Sequence, residues 1–126
     1  MIEGAAIALG GALGALARWQ MSTGVYRWLG RDFPWGTLSV NVLGSFVMGL
    51  LAVLLAERFA LGPVWRAGLF VGFLGAFTTF STFAFETVVL AEEGLGVRAA
   101  ANIAASVAAC VLAAVAGVQL ARYLGP

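Results

Sequence analysis

The sequence contains no histidine and no lysine, and its one cysteine is Cys110. Without histidine, neither a Ser-His-Asp relay nor a His/Cys metal centre can be assembled within one chain. A single thiol cannot close an internal disulfide, and among alanines Cys110 reads as a small packing residue. Charge is scarce as well. Only 10 % of residues are charged, against about a quarter in a soluble domain. The seven basic residues, all arginines, are spread along the chain and make no nucleic-acid patch.

What fills the chain instead is apolar: 62 % of residues are hydrophobic, with a mean hydropathy of +0.99. Uncharged stretches run over 4–17, 33–56, 67–85 and 99–121. Three of them reach the roughly 18–20 residues that a helix needs to cross hydrocarbon. The first is interrupted by Arg18, with apolar character on both sides. This pattern predicts an all-α integral membrane protein of one domain over 1–126, with four transmembrane helices near 4–28, 34–57, 65–92 and 96–122. The N-terminus carries Glu3 rather than a basic segment, so the first helix is expected to stay as a span and not as a signal peptide. Pro34 and Pro63 suit first helical turns, Trp28, Trp35 and Trp65 suit the interface belt, and Gly94 suits a helix C-cap. Loops are short, which leaves no room for an extramembrane active site and argues against an enzyme.

Orientation follows the arginine bias of short loops. Arg58, Arg66 and Arg122 fall on one side and Arg27, Arg31 and Arg98 on the other; giving Arg18 to its nearer loop barely breaks the tie. Such a balance fits either a weak signal or dual topology, in which the chain inserts both ways and pairs as an antiparallel homodimer. Four small helices also enclose little interior, so a pathway is more easily built between subunits. Gly10/Gly14, Gly68/Gly72 and the small-residue last helix permit close helix approach, whether within a chain or between chains.

Polar groups inside the membrane are costly and mark function or pairing. Asn41 lies in the second helix, and Asn102 and Ser106 in the fourth; each Asn can serve an interhelical hydrogen bond. Arg18 can snorkel to the interface, while Glu86 is open to a role as proton site, gate or partner of an arginine. The densest set is FLGAFTTFSTFAFE, residues 73–86. Gly72 and Gly75, followed by Thr78 and Thr79, weaken a helix. A break there would free backbone carbonyls, which an ion can satisfy; the alternative is a continuous helix whose glycines serve packing. On a helical wheel, Ser81, Thr82 and Glu86 fall within about 140° on one side, with Phe80 and Phe83 about 60° apart on the other. Phenyl edges are electropositive and can touch an anion without trapping it, and hydroxyls with an amide can replace its water shell. Equally, a phenylalanine stripe at helical spacing can face lipid or core.

GALGALARW, PWGTLSVNVLGSFVMGLL and GFLGAFTTFSTFAFET, in that order in a four-span chain, resemble the Fluc (CrcB-type) fluoride ion channel family over essentially the whole length. The resemblance implies an antiparallel dual-topology homodimer in a bacterial cytoplasmic membrane, with two fluoride pores and a central structural sodium ion. It implies passive export: hydrogen fluoride crosses the bilayer neutral, ionises in the more alkaline cytoplasm, and the trapped anion needs a selective exit. By the same resemblance Asn41, Phe80 and Phe83 line the pores with Thr79, Ser81, Thr82 and Ser106. Gly75 and Thr78 offer backbone carbonyls to sodium. Arg18 and Glu86 match the family's basic and acidic residues, with gating or electrostatic roles. Cys110 stands where relatives can have Ser, and Asn102 where an aromatic can occur. Two other classes compete: a small dual-topology proton-coupled multidrug exporter, which would have to use Glu86 because Glu3 is too terminal, and a non-transporting membrane assembly subunit.

Overall fold

The computed structural model describes residues 1–125 and is helical almost throughout. The elements are α1 (Ile2–Leu29), α2 (Trp35–Glu57), α3 (Pro63–Arg66), a π-helical stretch π1 (Ala67–Leu74), α4 (Gly75–Phe77), α5 (Phe80–Glu92) and α6 (Gly96–Tyr123). Three helical units, Trp35–Glu57, Pro63–Glu92 and Gly96–Tyr123, are long and apolar enough to cross a membrane. The chain is a multi-pass membrane protein built from helices, since in lipid each backbone polar group must be satisfied within its own segment. α1 is as long as α6, at 28 residues, or about 42 Å, but it carries Glu3, Arg18 and Arg27.

Pro63 opens α3 at its first turn, and Pro34 sits at the cap immediately before α2. Gly94 takes φ 78° behind α5, where its N–H reaches the Ala91 carbonyl and that of Leu95 reaches Leu90. This is the left-handed cap geometry that glycine adopts without a Cβ penalty.

The helices pack in two close pairs. α1 lies on π1 and α4, and α2 lies on α6. The GxxxG glycines meet each other inside the chain: a Cβ at Gly10 would strike the Gly68 carbonyl, and one at Gly72 would strike that of Ile7. At the other crossing, Gly117 abuts the Phe46 carbonyl and Gly49 that of Ala114. Since lipid offers no hydrophobic drive between spans, this backbone-to-backbone approach supplies the cohesion through dispersion. The two halves of Pro63–Glu92 therefore pack on different partners, the first on α1 and the second, α5, on α6. Val40, Leu74 and Asn102 are the largest fully buried side chains, while many large apolar residues face outward, Leu13, Trp19, Phe80, Phe85 and Val111 among them.

Candidate functional site

The helical unit Pro63–Glu92 is interrupted inside the motif, at two residues. Thr78 (φ −96°, ψ 156°) and Thr79 (φ −151°, ψ 109°) are extended, whereas Gly75 keeps helical angles (φ −62°, ψ −36°). The winding before this point is already loosened, because π1 has an i→i+5 pattern over Ala67–Leu74. Such winding is rare and frequent at functional sites.

The polar groups of the interruption are met from α2. Asn41 Oδ1 accepts from the Thr79 N–H (2.7 Å), and Asn41 Nδ2 donates to the Thr79 carbonyl (3.0 Å). The amide thus pairs with one residue's backbone as a neighbouring strand would. Gly44, one turn along, lets α2 come this close, since a Cβ there would strike the Thr78 methyl group. Thr79 also caps α5: its Oγ1 accepts from the Thr82 N–H at 3.3 Å and lies 2.9 Å from the Thr82 hydroxyl. In an unbroken helix the Thr79 and Thr82 N–H groups would bond the carbonyls of Gly75 and Thr78. Here they donate to Asn41 and to Thr79 Oγ1 instead, so those carbonyls lose their helical donors.

Two grooves open on either side of this point, and Thr79 lines both. One, of about 420 Å³, lies between α2, α5 and α6 and is lined by Asn41, Thr78, Phe80, Phe83, Ser106 and Cys110. The two phenyl rings are 5.3 Å apart and tilted by 59°. They are unlike in burial: Phe83 is 8 % exposed and Phe80 is 78 % exposed, so one ring belongs to the inside of the chain and the other to its outer surface. The other groove, of about 620 Å³, lies between α1, α2 and α5 and holds Arg18, Tyr26, Arg31, Thr37, Thr82 and Glu86. The two faces of the predicted wheel therefore open onto different grooves, with the rings on one and Thr82 and Glu86 on the other. Ser81 lines neither; its hydroxyl lies 3.4 Å from that of Thr79.

Asn102 is also outside both grooves. It is 1 % exposed, donates to the Thr87 hydroxyl (2.9 Å) and accepts from Ser106 (3.3 Å), while Thr87 donates to the Phe83 carbonyl (2.8 Å). This chain of bonds ties α6 to the turn that carries Phe83. Two residues of the second groove were missed by sequence reasoning, Tyr26 and Thr37, both hydrogen-bonded to Glu86. Thr37 was open to discovery, because Thr37, Asn41 and Ser45 recur at four-residue intervals on one face of α2. Tyr26 reads as an ordinary interface aromatic, and nothing local singles it out.

A family profile described as CrcB-like protein, Camphor Resistance (CrcB), matches residues 5–118. Several curated proteins named fluoride-specific ion channel FluC are similar to this chain. The one from Methylococcus capsulatus is 59 % identical over 119 residues, 94 % of this chain and 52 % of that protein. Those from Magnetococcus marinus and Geobacter sulfurreducens are 52 % and 48 % identical, each over 94 % of this chain and 96 % of the relative. The chain thus spans about half the length of the Methylococcus relative and nearly all of the other two.

Proposed function

This chain belongs to the CrcB-like family, and from that premise we propose that it is a fluoride-selective channel that lets cytoplasmic fluoride leave passively. The observation that carries the reading is the groove at the helix interruption. Hydroxyl, amide and phenyl groups converge there in a chain whose relatives are named fluoride-specific channels. A small, strongly hydrated anion must exchange water for other donors as it enters, and must leave again easily. The Asn41 amide retains one N–H beyond its bond to Thr79, and Ser106 and Thr79 line the same groove, their hydroxyls resting on Asn102 and Thr82 and able to rotate toward an anion. Phenyl edges offer weak positive charge without a fixed cation.

The working unit in this reading is an antiparallel dual-topology homodimer of four-span subunits, with two pores, in a bacterial inner membrane. The exposure of Phe80 supports it: a ring on the outer surface of one chain can line a pore only if a second copy covers it. A structural sodium ion at the dimer axis belongs to the same proposal. Sodium takes hard oxygen ligands, and the carbonyls of Gly75 and Thr78 have lost their helical donors, so the residues present fit the ion. Held by these carbonyls, the ion would supply the positive charge that their helical donors no longer provide. Arg18 would raise the anion concentration in the wider groove, which it shares with Thr82 and Glu86.

The test is efflux from liposomes. Vesicles loaded with fluoride and carrying this protein should release fluoride electrogenically and retain chloride. Equal chloride release, or no fluoride release from a well-folded dimer, would overturn the reading. Proton-driven transport of a lipophilic cation, lost in Glu86→Gln, would favour the exporter instead.

A further inference from the structure

In the wider groove a carboxylate is held by two hydroxyls from two other helices. Tyr26 Oη, on α1, donates to Glu86 Oε2 at 3.0 Å. Thr37, on α2, donates to the other oxygen, Oε1, and its hydroxyl lies 3.3 Å from that of Tyr26. Among the described residues α1 packs on α2, π1 and α4 but not on α5, so the Tyr26 bond bridges an open groove rather than a packed seam.

Tyr26 is fixed for this task from both sides. Its ring lies against Gly36, where any side chain would strike it. The Arg31 guanidinium stands 4.5 Å from the ring centroid on the groove side. A flat ring with two side-chain torsions, wedged and stacked, loses little further freedom when its hydroxyl bonds a charge. A bond from a neutral donor to a carboxylate is among the stronger single hydrogen bonds.

We propose that Tyr26 is a positioning residue for conduction: it pins the Glu86 carboxylate to the α1 side of the groove and so keeps a fixed negative charge out of the path of the entering anion. The inference rests on the fluoride-channel reading. Released from Tyr26, the carboxylate keeps only its bond to Thr37, through one oxygen, and can turn about it toward Thr82 and Arg18, which line the same space. There it would repel fluoride and neutralise the cation that attracts it.

Tyr26→Phe removes one oxygen and keeps the ring, its slot against Gly36 and its stack with Arg31. In fluoride-loaded liposomes it should lower flux by about tenfold, a factor equivalent to roughly 1.4 kcal/mol. In a Glu86→Met background the same change should alter flux less than twofold, because no carboxylate remains to be pinned. The carboxylate stretching band of Glu86, isolated by infrared difference against Glu86→Met, should shift in Tyr26→Phe. Wild-type flux in Tyr26→Phe, an equal fall in both backgrounds or an unmoved band would each overturn the proposal. Where Glu86→Met conducts too slowly to compare, the infrared band decides. If the wild-type protein releases no fluoride, the channel reading fails, and the band alone still reports whether Tyr26 holds the carboxylate.

Discussion

Replacing Asn41 tests how the interruption is held together. The side chain makes two hydrogen bonds, one to the Thr79 N–H and one to its carbonyl. Interhelical hydrogen bonds in membrane proteins average about 0.6 kcal/mol each, which sets a floor near 1.2 kcal/mol for the loss of both. A backbone group left unsatisfied in a buried place costs about 1–3 kcal/mol, which raises the ceiling severalfold. Asn41 and Thr79 are half-buried and line a groove, so water can repair part of the loss, and the expected cost of Asn41→Ala is about 1.5–3 kcal/mol. Asn41→Asp keeps an acceptor for the Thr79 N–H and loses the amide donor, so it should lie between wild type and Asn41→Ala in stability. Reversible unfolding in mixed detergent micelles measures the difference, and fluoride efflux from the same preparations measures conduction. A stability change below about 0.3 kcal/mol in Asn41→Ala would refute the reasoning, since that is less than one average bond.

Phe83→Ile and Phe80→Ile should both cut fluoride efflux while leaving the dimer intact by size-exclusion chromatography, and normal flux in both would remove the phenyl-edge argument. Within one chain Phe83→Ala should be the more destabilising truncation, at about 3 kcal/mol or more, because that ring is buried; Phe80→Ala should cost comparably only if a partner covers it, as thermal unfolding in detergent would report. Cys110 lines the same groove and is the one thiol in the chain, so a small charged thiosulfonate should slow fluoride efflux in the wild type and leave Cys110→Ser untouched. Gly117→Ala would push a methyl group into the Phe46 carbonyl and should lower stability by about 1–3 kcal/mol, readable as a fall in melting temperature.

Much of this organisation was legible in the sequence, and the parts that were not share a physical cause. Three span positions, Trp35–Glu57, Pro63–Glu92 and Gly96–Tyr123, followed from uncharged runs, because hydrocarbon thickness fixes helix length. The weak point within Pro63–Glu92 was legible from Gly72, Gly75, Thr78 and Thr79 together, but not which of them would be extended; the two threonines are. Glycine only permits a break. Here Asn41, 38 residues away, decides where it falls by supplying partners to Thr79. The same holds for Asn102, whose bonds to Thr87 and Ser106 need two helices in register. Tyr26 and Glu86 are 60 residues apart, and no periodicity within either helix predicts their meeting. Sequence pattern reports what one helix wants; a bond between helices depends on how the glycine crossings seat them.

That dependence explains why the interruption is tolerable in a low-dielectric setting. An extended pair of residues in mid-span would ordinarily strand several backbone groups at a cost of several kcal/mol each. Here the halves of the span are seated separately, π1 and α4 by the glycine crossing with α1, and α5 by Asn102 and Thr87 against α6. Neither half relies on the other for its position, so the residues between them can follow the demands of the site rather than of the helix. Asn41 and the Thr79 hydroxyl then satisfy the N–H groups of Thr79 and Thr82, and the carbonyls of Gly75 and Thr78 are left without those donors. Both carbonyls have given up their helical donors to the needs of the junction. Gly75 is exposed on the outer surface, where a carbonyl without its helical donor is stable only against water, a cation or a second chain.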